Sequence, residues 1–293
     1  MLIFLAGLEQ TEPKHVGILK SRVPNAFYSY YYMRKDKTDK KITGVKKYHD
    51  IVFVDSGAHT FFSEDDKIGA AGVHQKKTKM VESPQEYFDN YVIWLKRNYE
   101  HYDYFAELDI GDIIGQKKVN EWREVLKKEN LYSKCVTVYH PDCMSWEDYI
   151  NMLEDSQSKY VALEGDRRHR KRLPYIKLIK ECYKRNIKVH GFAMTKDNVM
   201  SKLPFYSVDS TSWKSGEMYG CIPYFNGTRV QNAHVKKLKD AAKAGCRFNL
   251  DLLHHENMTE NRLYRLILGI NAYKEAQIYY TKLWKKRGIN WKV

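Results

Sequence analysis

One pattern constrains this chain more than any other. Short, continuous apolar runs recur at Leu2–Ala6, Ile51–Val54, Tyr104–Leu108, Cys135–Tyr139, Tyr160–Leu163, Lys188–Ala193 and Phe205–Val208, with a weaker run at Arg247–Leu252. Most are unbroken rather than alternating, as strands buried on both faces are, and that means a parallel sheet. The stretches between them carry helix signals. Ser83-Pro84-Gln85-Glu86 reads as a capping box with proline at the first helical position, and Tyr87, Phe88, Tyr91, Val92 and Leu95 follow as one apolar stripe. Ser145 with Asp148 repeats the box, Tyr175–Tyr183 gives a third stripe, and a long helix is expected from about Thr259 to Trp284. Repeated β-then-α order in 293 residues predicts an α/β protein, a single (β/α)8 TIM-type barrel spanning 1–293 with basic loops and a C-terminal helix. An open sheet is the alternative, because the run at Arg247–Leu252 is weak.

Charge narrows the partners. Fifty Lys+Arg face 36 Asp+Glu, a formal net charge of +14, and there are 23 tyrosines. Cations neutralise phosphates and rings stack on bases, so a nucleic acid fits this surface, and so does a lysine-rich solvated exterior. No stretch approaches the roughly 20 apolar residues of a membrane span. The first residues, MLIFLAGLEQ, lack a basic leader region and read as a strand, not a signal peptide. Cys135, Cys143, Cys182, Cys221 and Cys246 lie far apart with no C-x-x-C pair, which suits a reducing, cytoplasmic setting.

In a parallel barrel the working residues sit at the C-terminal ends of strands. Those ends carry Asp55-Ser56-Gly57, Glu107-Leu108-Asp109, Tyr139-His140, Glu164-Gly165-Asp166, the run His190–Thr195, and Asp209. Converging carboxylates repel one another and shift each other's pKa, so a rim like this is kept for metal binding, acid/base work or recognition of a polar ligand. Asp55, Asp109, His140 and Asp209 could hold a divalent ion, although the H-x-H signature of many barrel hydrolases is missing. Without metal, one carboxylate can attack an anomeric carbon while another shuttles a proton. Phe61, Phe62, Tyr139, Phe192 and Trp213 are candidate walls for a stacked base.

These segments together resemble the tRNA-guanine transglycosylases. VDSGAHTF at Val54–Phe61, AELD at Ala106–Asp109, VYHP at Val138–Pro141, ALEGD at Ala162–Asp166, HGFAMT at His190–Thr195 and FYSVDSTSW at Phe205–Trp213 occur in the family's order. FLAGLE, DSGAH and SVDSTSW are most similar to the short, phage-associated branch that exchanges guanine in DNA for a 7-deazaguanine base. The resemblance implies a pentosyltransferase, virus-encoded and acting in the host cytoplasm. It implies Asp209 as the nucleophile and Asp55 as the general acid/base. It implies Asp109 on the purine N–H edge, His140 where the family has an amide, Glu164 and Gly165 shaping the pocket, Phe192 and Met194 lining it, and Ser56 and Gly57 at the base.

Departures matter as much. The family's C-terminal cysteine/histidine zinc site is absent, so no zinc or other cofactor is expected, and a partner other than tRNA is favoured. Arg167, Arg168, Arg170, Lys171 and Arg172 directly follow the fifth anticipated strand, at the rim, where a loop could grip phosphates. Lys76, Lys77 and Lys79 could add to that face, whereas Arg34–Lys47 lies before the second. The same chemistry on tRNA, a metal-dependent hydrolase and a non-catalytic nucleic-acid-binding subunit remain open, as do a homodimer and a partner protein.

Overall fold

The computed structural model describes residues 1–11, 13–58, 83–141, 143–164, 174–218, 221–234 and 258–291. Eight parallel strands close into a barrel in chain order: β1 (Leu2–Ala6), β2 (Asn25–Ser29), β3 (Ile51–Asp55), β4 (Tyr104–Ala106), β5 (Cys135–Tyr139), β6 (Tyr160–Leu163), β7 (Lys188–Gly191) and β8 (Ser207–Ser210). Closure comes from β8 pairing with β1, with Leu2 opposite Ser207 and Phe4 opposite Asp209. The TIM-type barrel read from the sequence is the architecture, but its eighth strand is not the anticipated one. Arg247–Leu252 lies outside the described residues, and Asn25–Ser29 completes the ring instead, pairing with β1 and β3. This strand lacks the continuous apolar signature because it opens on a polar residue. Asn25 is only 3% exposed, and its side-chain amide donates to Gln277 Oε1 at 3.0 Å.

Helices fill the described connections: α1 (Pro13–Lys20), α2 (Tyr30–Met33), α3 (Pro84–Arg97), α4 (Gly111–Ile114), α5 (Gln116–Lys128), α6 (Trp146–Asp155), α7 (Tyr175–Lys184), α8 (Asp197–Met200), α9 (Ser215–Met218) and α10 (Met258–Lys286). Both capping boxes form. The Glu86 amide donates to Ser83 Oγ at 3.2 Å and the Ser83 amide to Glu86 Oε2 at 2.8 Å; Asp148 and Ser145 repeat this at 3.1 and 2.7 Å. A hairpin the sequence reading did not anticipate, β9 (Cys221–Phe225) and β10 (Val230–His234), packs on α10.

Strand periodicity divides the core in two. Phe4, Ala6, Phe27, Phe53, Ala106, Val136, Val138, Tyr160 and Ala162 point inward and fill the barrel. Their neighbours Ile3, Leu5, Ala26, Tyr28, Val52, Val54, Phe105, Val161, Leu163 and Val189 point outward to the helices. Each large side chain so buried contributes about 1.5–3 kcal/mol. The same period of two, carried to the strand ends, turns Ser29, Asp55, His140, Glu164 and Asp209 inward as the top layer.

Two close approaches fix that layer. Trp213 is fully buried, and its indole N–H donates to the Ala6 carbonyl at 2.8 Å. α10 crosses directly over it at Gly269, where an added Cβ would stand 2.0 Å from the Trp213 carbonyl oxygen. The basic segment Arg34–Lys47 runs away from the rim: Lys46 pairs with Asp103, just before β4, at 2.7 Å.

Candidate active site

Asp55 ends β3. Its Oδ2 accepts the Gly57 amide at 3.1 Å. That turn requires glycine: Gly57 has φ +73°, and a Cβ there would lie 2.4 Å from Tyr31 Cβ. Ser56 is fully buried, and its carbonyl accepts the Tyr87 hydroxyl at 2.7 Å. Ser56 and Gly57 therefore build the loop that carries Asp55. Burial pushes the Asp55 carboxyl up to about 7, the Asp209 charge adding to the shift while the Gly57 amide and the Ser29 hydroxyl oppose it.

Asp209 lies within β8 and is 9% exposed. Its Oδ1 accepts the Ala193 amide at 2.7 Å and faces His190 Nε2 at 3.3 Å. Ala193 adopts φ +53°, a left-handed conformation that costs a non-glycine residue about 1–3 kcal/mol. The strain aims its N–H at the carboxylate. Among the described residues no hydrogen bond reaches Oδ2, so one oxygen is anchored and the other is free.

Across the rim, β4, β5 and β6 bring Asp109, His140 and Glu164 together. His140 Nε2 stands 3.7 Å from Asp109 Oδ2, and Nδ1 stands 3.5 Å from Glu164 Oε2. Burial alone would lower the His140 pKa. Glu164, Asp109 and Glu107 overcome it and raise the imidazole to about 9. Burial raises Asp109 to about 7 against the pull of His140. Nε2 is buried with no hydrogen-bond partner among the described residues. Behind the cluster Glu107 takes two bonds from Arg123, from Nε and Nη2 at 2.7 Å each, and its Oε1 accepts the Val138 amide at 2.6 Å. This buried pair braces the ends of β4 and β5.

The remaining expectations divide. Phe192 is half-buried, edge-on to His190 at 4.8 Å, and stays beside the cleft. Met194 is 1% exposed and belongs to the helix-side core, so it does not line a pocket. Tyr139 and Trp213 are core residues too, which removes them as stacking walls. Gly165, Arg167, Arg168, Arg170, Lys171 and Arg172 lie outside the described residues, as do Asp166, Phe61, Phe62, Lys76, Lys77 and Lys79. No group of three His, Cys, Asp or Glu side chains among the described residues is spaced to hold a metal ion.

Two functional candidates were passed over in the sequence. Glu9 follows β1, is 7% exposed, and is pushed up to about 7 by burial, with Asp55 adding to the shift and Lys214 opposing it. Lys214, itself buried, donates to the Gly7 carbonyl at 3.2 Å. The signal was available, since Gly7-Leu8-Glu9 is what the first strand delivers to the rim. His190 is the other; it opens the strand-end run HGFAMT but was given no role there, and it sits one layer below the rim. No known family's sequence profile matches the chain, and no curated protein matches it.

Proposed function

We propose that this protein is a base-exchange transglycosylase that replaces guanine in DNA with a 7-deazaguanine base. The observation that carries the reading is the unequal pair of carboxylates. Asp55 holds a proton near neutrality, and Asp209 keeps one oxygen anchored and one free. Pairs of carboxyls whose surroundings separate their roles mark acid and nucleophile in glycosyl transfer.

In the first half-reaction Asp209 Oδ2 attacks C1′ of the deoxyribose. The O–C1′ bond forms as C1′–N9 breaks, and the electron pair leaves with guanine N9, which Asp55 protonates. In the second, the incoming base gives its N9 proton to the Asp55 carboxylate and attacks C1′, and Asp209 departs as a carboxylate. One N-glycosidic bond replaces another, so no energy source is consumed. The target nucleotide must leave the stack to reach the rim. His140 Nε2–H donates to the 6-oxo group while Asp109 accepts from the adjacent N–H edge, a donor–acceptor pair that rejects 6-amino purines. A net charge of +14 favours a polyanionic substrate.

The test incubates purified protein with DNA or tRNA carrying radiolabelled guanine, plus unlabelled 7-deazaguanine bases, and measures released guanine. Release from DNA alone is expected. Release from tRNA alone would transfer the mechanism to RNA, and release from neither would overturn the reading.

A further inference from the structure

Below the rim a chain of hydrogen bonds runs from the barrel interior to Asp209. Tyr160 on β6 is fully buried, and its hydroxyl meets Ser207 Oγ on β8. Ser207 Oγ in turn stands 2.7 Å from His190 Nδ1 on β7, and His190 Nε2 stands 3.3 Å from Asp209 Oδ1. Rings fix the imidazole plane: Phe27 stacks on it at 5.7 Å and 12°, and Phe53 and Phe192 flank it at 5.2 and 4.8 Å.

The direction of the chain follows from its chemistry. A phenol has one proton to give, and the fully buried Tyr160 hydroxyl has Ser207 Oγ as its one partner among the described residues, so satisfying that proton makes Tyr160 the donor to Ser207. Ser207 is left with its own hydroxyl proton, and the acceptor within reach is His190 Nδ1. An imidazole that accepts at Nδ1 carries its proton on Nε2, which faces the carboxylate. We propose that His190 is the positioning residue of the nucleophile, its tautomer set from within the barrel by Tyr160 and Ser207 so that Nε2–H pins Asp209 Oδ1 and leaves Oδ2 to the substrate.

The inference rests on Asp209 being the nucleophile. Once Oδ2 is esterified, Oδ1 becomes the ester carbonyl oxygen, and the same N–H would stabilise the carboxylate re-forming in the second half-reaction. A histidine kept only to fill the core would need no fixed tautomer. Leucine would then replace it as well as glutamine does.

Two measurements test it in the full chain. Long-range proton–nitrogen spectra of histidine-labelled protein, with His190 assigned from the resonance lost in His190→Gln, read the tautomer directly. The Nε2–H form is expected in the wild type, with that preference lost in Ser207→Ala. An Nδ1–H form in the wild type would overturn the proposal whether or not the protein exchanges bases. Steady-state kinetics supply the second arm. Glutamine places an N–H where Nε2 stood, so His190→Gln should keep most of kcat, while His190→Leu should lower kcat about tenfold or more at unchanged KM, the scale of one hydrogen bond to a charged group. If leucine fails to fold, Ser207→Ala carries the same prediction of lower kcat at constant KM, and an unchanged kcat there would overturn it. A wild type with the Nε2–H tautomer but no base exchange would instead count against the transglycosylase reading.

Discussion

The two sides of the rim are built to opposite standards. On the β7–β8 side, Asp209 receives a backbone amide at 2.7 Å and backs onto a hydrogen-bonded chain that ends at a fully buried tyrosine. On the β4–β6 side, His140 stands 3.5 and 3.7 Å from the carboxylates that charge it, and its Nε2 is left without a partner. A nucleophile must be held before substrate arrives, because its orientation is part of the barrier. A reading edge is worth most when its donors and acceptors are unspent, because a wrong base then leaves them unpaired. The loose side is still braced where no ligand would reach, by Glu107 and Arg123 behind it.

The largest effects should break this contrast outright. Asp209→Asn removes the proposed nucleophile but keeps an oxygen that can accept the Ala193 amide. Base exchange should fall by about 10⁴-fold or more, and the covalent protein–DNA adduct should vanish from intact-mass spectra, with the circular dichroism unchanged. An adduct that survives would move the nucleophile elsewhere. Next comes the brace. Arg123→Ala leaves Glu107 buried and unpaired and should cost about 3–5 kcal/mol in denaturant unfolding. A loss below about 1 kcal/mol would mean that water enters behind β4, and that the reading side is loose throughout.

Much of this was legible from residues alone. Seven of the eight strands announce themselves because a barrel strand is buried on both faces and so reads as continuous apolar sequence. β2 escapes because Asn25 is satisfied by Gln277, a partner 252 positions away that no local pattern reveals. Asp55, Asp109, His140 and Asp209 were readable as rim residues because they follow or end barrel strands, and a carboxylate or imidazole there is visible as a letter. His190 stood in one of those strand-end runs, but its role could not be read that way. Its role depends on Ser207 and Tyr160 meeting it across three strands, and a histidine in a barrel interior otherwise reads as core. Tyr139 and Trp213 show the reverse error: their neighbours at the rim suggested walls, whereas their side chains turn toward the helices.

A smaller effect should sharpen the reading side. Glu164 faces Nδ1, so the proton there is the retained one, and deprotonation takes the proton from Nε2. The donor proposed for the base is therefore present below about pH 9 and lost as pH rises through it. The kcat/KM profile of the wild type, which already falls above about 7 as Asp55 loses its proton, should fall more steeply through about 9. His140→Leu should lower kcat/KM by roughly 10–100-fold, chiefly through KM, while His140→Gln, which keeps an N–H donor there, should flatten this steeper limb at a smaller cost. A limb that persists in His140→Gln would belong to another group.

The last effect is one of stability, and its sign separates the proton-holding carboxyl from the anchored one. Asp55 sits at about 7 in the folded chain against 3.8 as a free side chain. Below the lower value both states are protonated, and burial of Asp55 costs nothing through ionisation. Between the two values the unfolded chain releases the proton and the folded one keeps it, so stability falls as pH rises and levels off above about 7. Asp55→Asn abolishes this loss and can still accept the Gly57 amide. It should raise Tm at pH 7.5, by about 2–4 °C for each kcal/mol recovered, and leave Tm unchanged near pH 3.5. An equal gain at both pH values would assign the effect to packing. A loss at neutral pH would mean that the Asp55 carboxylate is stabilised in the folded chain, and that both halves of the pair are anchored alike.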